Sequence, residues 1–132
     1  MARVTQLLIQ AEHKPGTLAT LCSELARKAV NITAIMAAHD QPGGIRIVAA
    51  PHAAARKVLE SMNLPYREEE AIAVRINDRP GALGKITRKL ADANVNILYA
   101  YGSIVKGEQR AMIILGVSNV EQADTLVRGA SR

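Results

Sequence analysis

Aliphatic and β-branched residues dominate residues 4–11 (VTQLLIQA) and 71–77 (AIAVRIN), and each run stops before a Pro-Gly pair. That pattern predicts a strand closed by a turn. The period then changes. Leu18, Leu21, Cys22, Leu25 and Ala26 fall at i, i+3, i+4, i+7 and i+8, as do Leu83, Ile86, Thr87, Leu90 and Ala91, so each set predicts an amphipathic helix. Val-Asn-Ile then opens a second strand at 31–38 and at 96–103. Turn residues at 41–44 and 106–108 precede third strands at 45–50 and 111–117. Second helices are predicted at 51–62 and 119–128. Pro51 suits a first helical position, and Ser118 with Glu121 reads as a capping box.

The two series are one pattern repeated. With an offset of 65 residues, KPGTLATLCSELARKAVNI (14–32) falls on RPGALGKITRKLADANVNI (79–97), with eight of nineteen positions identical. The order strand, helix, strand, strand, helix, twice, predicts an α+β chain of two ferredoxin-like units in tandem, βαββα(β), with an antiparallel sheet and the helices on one face. The units are expected at 1–68 and 69–132. No turn signal interrupts 66–77, so one long strand is expected there, and the second unit lacks a clear final strand.

Composition narrows the function. The chain has 132 residues, with 48% apolar and 22% charged residues, as in a soluble globular protein. Three Tyr and no Phe or Trp leave the core to aliphatic residues and Ala. The net charge is +5, but bases and acids are interspersed: seven against four in 1–66, and ten against eight in 67–132. With no basic block and few stacking aromatics, nucleic-acid binding is not expected. No apolar run is long enough for a membrane span. The single cysteine, Cys22, has no partner for an internal disulfide, which points to the cytoplasm. Its place in the helix stripe suggests a buried structural thiol. His13, His39 and His52 lack metal-ligand spacing, so neither metal nor cofactor is expected. No nucleophile-and-base set or phosphate loop is present, and no enzymatic activity is expected. Glu68-Glu69-Glu70 reads as a solvated strand edge, while Tyr99 and Tyr101 either pack under helices or line a cleft.

HKPGTL…AVNI and DRPGAL…NVNI resemble the ACT-domain family, twice over and across nearly the whole chain. The resemblance implies a regulatory module that binds an amino acid. It places ligand-binding positions at Asp78, Arg79, Gly81, Ala82, Leu83, Asn96 and Ile97, and at His13, Lys14, Gly16, Thr17, Leu18, Asn31 and Ile32. It also implies a homodimer and a metabolic enzyme as partner. The alternative is a regulatory or interaction subunit of an amino-acid biosynthetic enzyme with degenerate ligand sites.

The chemistry of these residues fits an amino acid. First-turn amides after Gly16 and Gly81 lack intrahelical acceptors and suit a carboxylate. Asp78 offers an acceptor for an ammonium, and His13 is its weaker counterpart, so the Asp78 loop is expected to be the better site. Asn31 and Asn96 each offer an amide that donates and accepts. Other roles stay open: the Pro-Gly pairs as plain turns, Asp78 as a helix cap, and the two asparagines as partners of a helix end.

Overall fold

A computed structural model describes residues 3–12, 14–38, 44–104 and 110–130. The described elements are β1 (Arg3–Ile9), α1 (Thr17–Arg27), β2 (Asn31–Ala37), β3 (Ile45–Ala50), α2 (His52–Ser61), β4 (Tyr66–Asn77), α3 (Ala82–Asp92), β5 (Ile97–Ile104), β6 (Arg110–Val117) and α4 (Val120–Ala130). The six strands pair antiparallel, and the chain is α+β. Residues 41–43 of the predicted turn at 41–44, the predicted turn at 106–108, and His13 and His39 lie outside the described residues.

The chain forms two compact units. One holds Thr5–Glu69, and the other holds residues 70–132 together with the start of β1. In the first, the strands run β2-β3-β1-β4 in space, with β4 entering through residues 66–69. In the second the order is β1-β4-β6-β5, and residues 3–4 of β1 group with this unit. Both orders are ferredoxin-like. The uninterrupted strand expected over 66–77 is present as β4.

Each unit has its own core. Leu7, Ile9, Ile45 and Ile47 meet Leu21 and Leu25 of α1 and Val58 and Leu59 of α2. Ile72, Val74, Ile76 and Leu115 meet Ile86 and Leu90 of α3 and Ala123 and Val127 of α4. Within each unit both helices thus cover one face of the strands. The helix stripe is narrower than its spacing predicts. Leu18 and Leu83 are 39% and 41% exposed, Ala26 and Ala91 are exposed, and Cys22 is half-buried rather than buried. Leu18 and Leu83 stand in the first helical turn.

The repeat extends to backbone detail. Ala29 and Asn94 both adopt left-handed φ, 58° and 59°, after their helices. The Val30 amide donates to the Leu25 carbonyl and the Val95 amide to the Leu90 carbonyl, both at 2.9 Å. These are Schellman endings. The strand that follows shifts register at Ile32/Ala34 and at Ile97/Tyr99, so bulges fall on Thr33 and Leu98.

Three local expectations are corrected. Pro51 is the residue before α2 and keeps an extended ψ of 139°, so His52 is the first helical position. The α4 cap is Asn119, whose Oδ1 accepts the Gln122 amide at 3.1 Å; the Ser118 Oγ instead accepts the Asn96 amide at 2.9 Å. The Glu68–Glu70 run is not merely solvated. Glu68 lies 3.5 Å from His52 and 3.3 Å from Arg56, Glu69 lies 2.9 Å from Arg46, and Glu70 lies 3.5 Å from Arg3. No helix among the described residues is long and apolar enough to cross a membrane.

Candidate functional site

The two Pro-Gly loops share one backbone. The Lys14 amide donates to the Glu12 carbonyl at 3.1 Å and the Arg79 amide to the Asn77 carbonyl at 2.9 Å. Thr17 and Ala82 donate to the carbonyls of Lys14 and Arg79, both at 3.3 Å. Thr20 and Lys85 donate to the carbonyls of Gly16 and Gly81, at 2.9 and 3.1 Å. Gly16 and Gly81 hold φ of 90° and 87°, a region costly for residues with a β-carbon. A β-carbon at either would meet nothing within 4 Å. The glycines are thus set by the turn, and the space before them is open. Both serve as N-caps without a side-chain hydrogen bond, so Asp78 does not cap α3. Helix geometry leaves the second and third amides of each first turn without an acceptor inside the helix.

In the first unit this loop borders a cavity of about 400 Å3, lined by Glu12, Lys14, Pro15, Gly16, Thr17, Thr20, Met62 and Leu64. Its wall follows from how α2 ends. Asn63 takes a left-handed φ of 56°, and the Leu64 amide returns to the Leu59 carbonyl at 3.1 Å. The Gln10 amide then donates to the Pro65 carbonyl at 2.9 Å, holding the end of β1 beside the start of β4. Met62 and Leu64 are half-buried and pack against the first core. At the rim the Lys14 Nζ lies 3.1 Å from the Glu12 Oε2, with both side chains mostly exposed. The Thr17 Oγ1 is buried and has no hydrogen-bond partner among the described residues.

Of the candidates in this unit, Lys14, Gly16 and Thr17 line the cavity. Leu18 is exposed and outside the lining. Asn31 is exposed on β2 opposite Ala50, and Ile32 packs against the core. In the second unit Asp78, Arg79, Gly81 and Leu83 are exposed, while Ala82 and Ile97 pack on the second core. Asn96 is exposed, and its main chain is held by Ser118 through both its amide and its carbonyl, each at 2.9 Å.

Sequence reasoning missed Glu12, Pro15, Thr20, Met62 and Leu64. Glu12 was legible, because a carboxylate one residue before His13 can do what Asp78 does. Met62 and Leu64 were not, because only the fold carries them to a loop nearly fifty residues earlier. No group of three or more His, Cys, Asp or Glu is placed to hold a metal among the described residues.

The ACT domain family profile matches residues 71–127. No curated protein matches the chain in sequence. Solved structures share the fold. A protein from Bacteroides thetaiotaomicron is 24% identical with a TM-score of 0.88, over 97% of this chain and 88% of its own. The regulatory subunit of aspartate kinase from Thermus thermophilus is 18% identical with a TM-score of 0.64, over 100% of this chain and 95% of its own. E. coli aspartokinase III, in complex with lysine and aspartate, is 14% identical with a TM-score of 0.61, over 98% of this chain and 31% of its own.

Proposed function

We propose that this chain is a non-enzymatic regulatory protein that binds a free amino acid at the first-unit cavity and acts on a partner enzyme of metabolism. The carrying observation is the Glu12–Lys14 pair at the rim of a cavity with an apolar wall. A zwitterion replaces that pair group for group: its ammonium takes Glu12, and its carboxylate takes Lys14. The Thr17 hydroxyl and the open first-turn amides supply further donors to the carboxylate. The pseudo-equivalent Asp78–Leu83 loop with Asn96 is a second place for the same chemistry. With Glu12 counted, the carboxylate of Asp78 no longer sets the second loop apart, and the cavity beside the first loop supports placing the ligand there. The ACT match in 71–127 and the fold shared with a separate regulatory subunit support a regulatory role. We include a two-fold homodimer in this reading; light scattering at micromolar concentration then gives twice the chain mass of 14.2 kDa.

The test is a thermal-shift screen of the full chain with the twenty amino acids, followed by calorimetry. At least one amino acid is expected to raise the Tm. Glu12→Gln and Lys14→Met are each expected to weaken its binding about tenfold, the low end for a charge-assisted hydrogen bond at an exposed rim. Asp78→Ala is expected to leave the first site unchanged. If Asp78→Ala abolishes binding and Glu12→Gln does not, the ligand belongs to the second loop. A flat screen favours the interaction subunit with degenerate sites.

A further inference from the structure

We infer that the first-unit cavity selects an amino acid with an uncharged aliphatic side chain; this rests on the amino-acid reading above and sharpens it. The lining divides by chemistry. Among the described residues, Glu12 and Lys14 are its only charged side chains, and the α-ammonium and α-carboxylate use both. Pro15, Met62 and Leu64 remain to meet the ligand's side chain. Met62 and Leu64 also pack on the first core, so their places are fixed before any ligand arrives. An aliphatic group laid against them leaves water for apolar surface. A charged side chain would lose hydration there with no counter-charge to meet it, since Glu12 is already taken. A side-chain carboxylate would compete with the α-carboxylate for Lys14.

Calorimetry on the full chain with leucine, valine, methionine, glycine, lysine and aspartate tests this. Leucine is expected to bind at least about tenfold tighter than glycine, the yield of burying part of a leucine side chain. Lysine and aspartate are expected to bind no better than glycine. Met62→Gln, at a half-buried position after α2, is expected to lower leucine affinity several-fold more than glycine affinity. If lysine or aspartate binds as tightly as leucine, the selectivity is wrong while the amino-acid reading stands. If none of the six produces heat or a thermal shift, the aliphatic selectivity falls, and the amino-acid reading falls with it only where the screen of all twenty is flat.

Discussion

Arg3 and Asp124, 121 residues apart in sequence, meet with the Arg3 Nε donating to the Asp124 Oδ2 at 3.3 Å. Arg128 grips the same carboxylate from within α4, through Nη2 at 2.9 Å and Nε at 3.1 Å. Asp124 is only 5% exposed, yet both its oxygens are satisfied. A buried carboxylate held by two guanidiniums is costly to strand, so removing either arginine weakens the tie. Through this contact and its approach to Glu70, Arg3 fastens the start of β1 to the second unit.

The Arg128 hydrogen bonds pull the Asp124 carboxyl below the usual carboxylate range, against the opposing effect of burial. The folded chain therefore holds that proton less readily than the unfolded chain. Its contribution to stability is complete above the ordinary value of about 3.9 and is lost as pH falls through the lower folded value. Asp124→Asn is expected to lower the urea midpoint at pH 7. Below about pH 3.9 the gap from wild type should close. Urea titrations across that range check this, and a constant gap would contradict it.

The Tyr99 ring fills the space that a β-carbon at Gly116, its partner on β6, would need. Gly116→Ala is expected to destabilise by about 1–3 kcal/mol through overpacking. The double variant with Tyr99→Ala should cost less than the sum of the two single changes, because the ring is the obstacle. Denaturant melts of the three variants decide the point.

Gly81 and Gly84 offer a sharper contrast. A β-carbon at either meets nothing within 4 Å, but only Gly81 has positive φ. Gly81→Ala is expected to cost about 1–2 kcal/mol. Gly84→Ala, inside α3, is expected to stabilise by about 0.5–1 kcal/mol. Opposite shifts in Tm from the same added methyl would confirm that backbone conformation, not space, fixes the loop. Gly16→Ala should follow Gly81→Ala.

Ala29 is the alanine that stands where the second unit has Asn94, at a left-handed φ of 58°. Ala29→Gly is expected to relieve about 1 kcal/mol of strain, less the entropy that glycine adds to the unfolded chain. A rise of a few degrees in Tm checks it.

What the sequence made legible was period and punctuation. Spacing located all ten elements, and the missing turn signal between Tyr66 and Ala71 correctly gave β4 as one strand. Periodicity could not tell which positions of the stripe stay exposed, so Leu18 and Leu83 looked like core. It could not tell neighbouring caps apart, because Ser118 and Asn119 both offer an oxygen and only geometry decides which amide each reaches. Nor could it assign the start of β1: residues 3–4 carry no mark that groups them with residues 70–132. At the site, Lys14, Gly16 and Thr17 followed from the repeat, since loop chemistry is local. The apolar wall did not follow, because it depends on how α2 ends.

The grouping of residues 3–4 with residues 70–132 sets how this chain can recombine. A single crossover at the 69/70 junction would swap most of the second unit but leave its first strand residues behind, with Arg3 facing a foreign α4. A clean exchange needs two breakpoints, one after residue 4 and one after residue 69. In variants descended by recombination, residues 3 and 124 should change together even when everything between them has been replaced.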